Sequence, residues 1–278
     1  MPCFERDVHS WKDFIEVVSS HEGRWVYRGQ RQDWLLQPSL ERYICAWGSD
    51  IALSPMIEQQ MIRDFRRRYP DPADTAIHED TLYCLALMQH HGAPTRLIDW
   101  TYSPFVAAKF AAEEGTKNAV IWCLNAEWCR ATGEGIVGDD LKRRADDALR
   151  NDVTFRPIYL AARRPFVCLE NPLRLNQRLI LQRGTFLCPG DISVGFQNNI
   201  EAMSGWDLEQ NLIKLVLRLD KTEVAHFSNH LKQMNMTSAL LFPGLDGFAF
   251  SLRELILHYE TLARHGTGVA GSTIPTWD

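Results

Sequence analysis

"MQHHGAPTRLIDWTYSPFVAAKFAA", residues 88–112, is the densest stretch of this 278-residue chain. One helical run stops at Gly92 and Pro94, and a second opens at Ser103-Pro104, where proline suits a first turn. Between them stand Thr95, Arg96, Asp99, Trp100 and Thr101. Arg96 and Asp99 are spaced to pair across a turn and hold the loop. Thr101 and Ser103 lie just before a helix start, where free N–H groups and the helix dipole favour an anion such as phosphate. Trp100 offers a face for stacking on a base or ring. Ser103 alone reads as a helix cap, whereas the cluster as a whole reads as a site. His90 and His91 raise the question of a metal. No HExxH or His-carboxylate spacing supports one, so a buried histidine bonded to the loop backbone is expected and no metal.

Two other stretches share this character. "WVYRGQRQDWLLQPSLER", residues 25–42, reads as a short strand opening into a polar, aromatic turn. "RLILQRGTFLCPGD", residues 178–191, places Gln182 at the end of an apolar run, followed by Arg183-Gly184. On its own that end reads as a strand terminus with Gly184 at a bulge.

Composition narrows the rest. The chain is 45% hydrophobic and 23% charged, ordinary for a folded domain, with a formal net charge of -5. That balance disfavours generic binding to nucleic acid or membrane surfaces, and Arg63, Arg66, Arg67 and Arg68 read as a solvated helix face. Seven cysteines lack CxxC spacing and several sit in apolar runs, which predicts buried reduced thiols and a cytoplasmic location. No apolar run has the ~18 residues of a membrane span, and the N-terminus lacks the apolar segment of a signal peptide. A nucleophile elbow, a Walker A loop and a GxGxxG loop are all absent.

Periodicity predicts helices over 10–21, 55–70, 78–92, 103–115 and 221–234, and a polar one over 139–151. Strands are expected at 24–29, 118–125, 155–161, 165–170 and 211–220, with two more around Pro189-Gly190. The first long helix puts Met56, Ile57, Met61, Ile62 and Phe65 along one face. The chain reads as one domain over 1–278 that ends in a helix and a loose tail, 266–278. Mixed elements without regular βαβ alternation indicate an α+β fold.

The three stretches together resemble the FRG-domain family. Tyr27-Arg28-Gly29-Gln30 matches its aromatic-Arg-Gly start. Gln89, His90, Gly92, Pro94, Thr95, Arg96, Leu97, Asp99, Trp100 and Thr101 match its QHxGxPTRLxDWT core, and Gln182, Gly184 and Phe186 its later QxGxF element. "LFPGLDGFAFSL", residues 241–252, is similar to its closing segment, so the resemblance runs over about 24–255. A more distant resemblance, in order and chemistry, is to the ADP-ribosyltransferases. It implies a split antiparallel β-sheet core, NAD as co-substrate and a macromolecular target, as in a bacterial toxin or anti-phage defence effector.

On that resemblance Arg28, Thr101 and Gln182 would be the catalytic trio. Tyr27, Gly29, Gln30, His90, Thr95, Arg96, Asp99, Trp100 and Ser103 would line the substrate site. Arg28 would grip the phosphate or ribose, and Gly29 would let the nicotinamide amide approach. Gln182 stands where a glutamate is usual, and a neutral amide stabilises an oxocarbenium-like state poorly. Glu170 and Asp99 are the alternative carboxylates. Two rivals follow: a non-catalytic module binding a nucleotide or nucleic acid, and a hydrolase using His90 and Asp99.

Overall fold

In a computed structural model the protein is described over residues 3–112, 118–203, 207–245 and 247–252. The fold is α+β. In chain order β1 (Phe4–Val8), α1 (Trp11–Ser19), β2 (Trp25–Gln30), α2 (Ser39–Ala46), α3 (Ser54–Arg68), α4 (Ala76–Glu79) and α5 (Thr81–His90) come first. The middle holds β3 (Ile98–Thr101), α6 (Pro104–Ala112), β4 (Ala119–Asn125), α7 (Ala126–Val137), α8 (Asp139–Arg143), α9 (Asp152–Phe155) and a π-helix, Arg156–Ala161. Then follow β5 (Val167–Glu170), α10 (Gln177–Leu181), β6 (Gly184–Pro189), α11 (Phe196–Glu201), α12 (Leu208–Asn211), β7 (Leu212–Leu217), α13 (Lys221–Gln233) and α14 (Ser238–Leu241).

The strands form one mixed seven-stranded sheet in the order β1-β7-β4-β2-β3-β6-β5. β1 runs parallel to β7, and every other neighbouring pair is antiparallel. The expected split antiparallel sheet is therefore a continuous mixed one. Its weakest seam is β2–β3, which share a single pair, Tyr27 with Thr101. β4 reads AVIWCLN and is buried along almost its whole length, as a central strand must be when both faces are covered.

One core joins Val26, Ile98, Trp100, Trp122 and Phe186 to α5, α7 and α11. A second packs Tyr27, Ile121 and Leu215 against α1, α6 and α13. Alanines at 107, 108 and 111 are wholly buried and let α6 lie close on the sheet. All seven cysteines are free thiols; Cys45 is exposed and Cys3 half-buried, while the other five are buried. No helix among the described residues is long and apolar enough to cross a membrane.

Most of the expected elements form, and the differences have local causes. The run 78–92 is broken in two because the Asp80 carboxylate accepts the Tyr83 N–H at 3.1 Å and starts a new helix. Residues 156–161, expected as strand, form the π-helix, whose Tyr159 carbonyl takes a hydrogen bond from Arg96 at 2.7 Å. The expected pair of strands around Pro189-Gly190 is one strand, β6, preceded by α10 and followed by α11. Asn176 starts α10 by accepting the Leu179 N–H at 2.8 Å. α7 forms although Gly133 and Gly135 depress its helix propensity. Gly133 is nonetheless useful: a β-carbon there would lie 3.1 Å from Leu141 and 3.6 Å from the Val167 carbonyl. On α3, Met56 turns to solvent and Glu58 turns inward. Residues 247–252 are helical. The expected end of that helix and the tail 266–278 lie outside the described residues.

Candidate functional site

The middle of the sheet carries every residue of the first motif. Tyr27 is buried and its hydroxyl meets His21 Nδ1 at 3.0 Å. Gln30 is buried and accepts the Trp122 indole N–H at 2.8 Å. A β-carbon on Gly29 would stand 1.9 Å from the Ala107 carbonyl oxygen and 2.7 Å from the Ala111 nitrogen. The missing side chain serves helix packing, and α6 fills the space expected for a ligand amide.

The middle motif divides into scaffold and surface. Thr95 and Arg96 are wholly buried. The Thr95 N–H donates to Ser39 Oγ at 3.0 Å, while its hydroxyl donates to Gln89 Oε1. Arg96 does not pair with Asp99. Its guanidinium is clamped by the Glu58 carboxylate, with Nε 2.9 and 3.0 Å from the two oxygens, and Nη1 donates to the Tyr159 carbonyl. Such a pair is expensive to desolvate but fixes α3 against the loop, and its charge coupling to Glu58 raises the Arg96 pKa against the opposing effect of burial. The Asp99 side chain is exposed and accepts from Gln89 Nε2 at 2.8 Å. His90 and His91 are exposed at the end of α5, not buried in the loop. No hydrogen bond among the described residues joins His90 to Asp99. Partial burial lowers the His90 pKa, helped by His91 and Arg178. Trp100 is only 2% exposed, so its ring is a core element and not a stacking platform.

Thr101 and Gln182 do meet. The Thr101 hydroxyl donates to the Gln182 carbonyl at 2.6 Å and accepts the Ser103 N–H at 3.0 Å. Ser103 Oγ accepts the Val106 N–H at 3.3 Å, which makes it the cap of α6. Gln182 ends α10, not a strand, and is followed by Arg183 in the left-handed region at φ 48°. Its side-chain amide donates to the Leu241 carbonyl at 3.0 Å and so anchors α14. The alternative carboxylate Glu170 is buried against Arg144, at 2.9 and 2.7 Å, and the Tyr159 hydroxyl, at 2.7 Å.

Arg28 stands apart from these two. Tyr27 lies opposite Thr101, so the next positions, Arg28 and Trp100, face the other side of the sheet. Where the β2–β3 ladder stops, Arg28 Nη1 donates to the Asp99 carbonyl at 2.6 Å. Its Nε is shut off from solvent without a partner among the described residues. Burial lowers its pKa and Arg42 lowers it further, while Asp99 opposes them; an arginine stays charged through such shifts. The buried Arg96 and Arg144 each hold a glutamate, whereas no carboxylate among the described residues forms a salt bridge with Arg28.

The register extends this row. Lys214 pairs with Trp122, Trp122 with Arg28, and Trp100 with Thr185. Glu170 pairs with Phe186, which sets Asn171 beside Thr185. Lys214 Nζ is neutralised by Asp33 at 2.6 Å and Glu5 at 3.2 Å. The Trp100 indole nitrogen, the Thr185 hydroxyl and the Asn171 side-chain oxygen are each buried without a partner among the described residues. Each such atom costs about 1–3 kcal/mol unless something bonds it. Thr185 and Asn171 stand outside the sequence-predicted site; the one signal for Thr185 is a polar residue inside an apolar strand. Elsewhere, two shallow clefts flank Asp191 and reach Arg96, with little enclosed space in either.

These features define an α+β protein with a mixed seven-stranded sheet and a charged, polar row across its centre. Residues 23–119 match the model of the FRG domain. The match spans β2 to the start of β4 and takes in the first two motifs, while Gln182 and residues 241–252 lie beyond it. No curated protein and no solved structure matches the chain.

Proposed function

We propose that the chain binds a nucleotide diphosphate, NAD first among them, with Arg28 on the phosphates. The observation that carries this is a half-buried guanidinium with one backbone acceptor and, among the described residues, no salt bridge to a carboxylate, which feels the attraction of Asp99 and the repulsion of a second arginine, Arg42. A partly desolvated cation whose nearby carboxylate makes no direct contact is costly, and a phosphate relieves both arginines together. Calorimetry with NAD and ADP-ribose tests it. Binding that falls at least tenfold in Arg28→Gln supports the reading; equal binding by wild type and variant, or none by either, overturns it.

ADP-ribosyl transfer to a macromolecular target is the second reading. The contact of Thr101 with Gln182 favours it, because it joins two of the three elements that the resemblance requires. The commitments of Gln182 to Leu241 and of Glu170 to Arg144 count against it, since neither leaves a carboxylate for an oxocarbenium-like state. Incubation with labelled NAD and cell lysate separates the two. Binding without label transfer or nicotinamide release supports the module, and Arg28-dependent transfer supports the enzyme.

A further inference from the structure

Unpartnered polar atoms are rare inside a folded chain, and here they are aligned. Of the five such side-chain atoms among the described residues, four belong to the row Arg28, Trp100, Thr185 and Asn171. The row crosses β2, β3 and β6 and ends just past β5. Its order of chemistry is a cationic donor, an indole donor, a hydroxyl that both donates and accepts, and an amide oxygen that accepts.

We propose that this row recognises a phosphorylated sugar, with Arg28 on the phosphate and Trp100, Thr185 and Asn171 on the sugar hydroxyls. The proposal rests on the reading of Arg28 as a phosphate contact and names the group that sits beside that phosphate. Three features support it. Inorganic phosphate offers mainly acceptor oxygens and leaves the Asn171 oxygen unsatisfied, whereas a sugar hydroxyl both donates and accepts. Arg28 and Asn171 stand three strand spacings apart, about 14 Å at the usual interstrand distance, which suits a nucleoside diphosphate or a sugar phosphate. The two ends are half-buried while Trp100 and Thr185, at 2% and 1% exposure, are enclosed, so only the ends of the row meet solvent. A single bridging water could join Trp100 to Thr185, but it could not satisfy both ends of the row.

The test is calorimetry of the full chain with ADP-ribose and with pyrophosphate, on wild type, Thr185→Val, Asn171→Leu and Arg28→Gln, each checked by thermal melting. The expected result is at least a tenfold loss of ADP-ribose affinity in Thr185→Val and in Asn171→Leu, with pyrophosphate affinity unchanged. Arg28→Gln should weaken both ligands. If ADP-ribose binding needs Arg28 but ignores Thr185 and Asn171, the row holds only water and this proposal fails while the phosphate reading stands. If neither ligand binds the wild type, both fail. Thr185→Val keeps the side-chain shape, and Asn171→Leu gives a second variant should one of them misfold.

Discussion

Gly29 lies so close to Ala107 that a β-carbon would come within 1.9 Å of that carbonyl oxygen. The glycine of the aromatic-Arg-Gly motif is therefore the seat of helix α6 on strand β2. Gly29→Ala must push the helix backbone away from the sheet, because a carbonyl cannot swing aside as a flexible side chain can. A loss of more than about 3 kcal/mol is expected, at the upper end of overpacking costs. Urea unfolding measures it, and a variant as stable as wild type would refute the packing role.

The Arg96–Glu58 pair makes a second prediction. Glu58→Ala leaves a wholly buried guanidinium without its counter-charge and should cost about 3–5 kcal/mol. The double variant Arg96→Met with Glu58→Leu removes both charges and should be more stable than the Glu58 single variant. Denaturant midpoints of the three proteins decide it; a double variant weaker than the single one would contradict this account.

Gln182→Glu, which places a carboxylate where the transferase resemblance expects one, should not create activity. It exchanges a donor for an acceptor opposite the Leu241 carbonyl and should cost about 1–3 kcal/mol. The loss should shrink near about pH 4, where the carboxyl is protonated and can donate. Nicotinamide release read beside thermal melting at both pH values checks this, and a gain of turnover at full stability would count against it.

His21 supplies the pH dependence. Burial pushes its pKa down to about 4, so the native state favours the neutral ring. The unfolded chain titrates near about pH 6.5 and binds the proton first. Stability from this residue is therefore present above pH 6.5 and declines as pH falls towards 4. With partial solvent screening, about 1–2 kcal/mol is expected between those limits. Unfolding curves at both ends, for wild type and His21→Gln, should show a slope in the first that is flatter in the second.

Much of the fold was legible locally. The apolar run of β4, the Pro104 start of α6 and the Ser10 cap of α1, which accepts the Asp13 N–H at 3.1 Å, all act within a few residues of themselves. The π-helix was not legible, because Tyr159 answers to Arg96, 63 residues away in the chain. The role of Gln182 was obscured in the same way: its partner Leu241 lies 59 residues away.

The sequence by itself determined the α+β class, the position of most elements and the family resemblance, since propensity, capping and motif spacing are short-range. Only the tertiary structure decided which motif residues share a surface. Strand alternation sets Arg28 opposite in direction to Tyr27, but the pairing of Tyr27 with Thr101 is what turns Arg28 away from Thr101 and Gln182. The same pairing lines Arg28 up with Trp100, Thr185 and Asn171. Register between strands distant in sequence is settled by packing both faces of the sheet at once, because a slip of one residue would move every side chain to the other face.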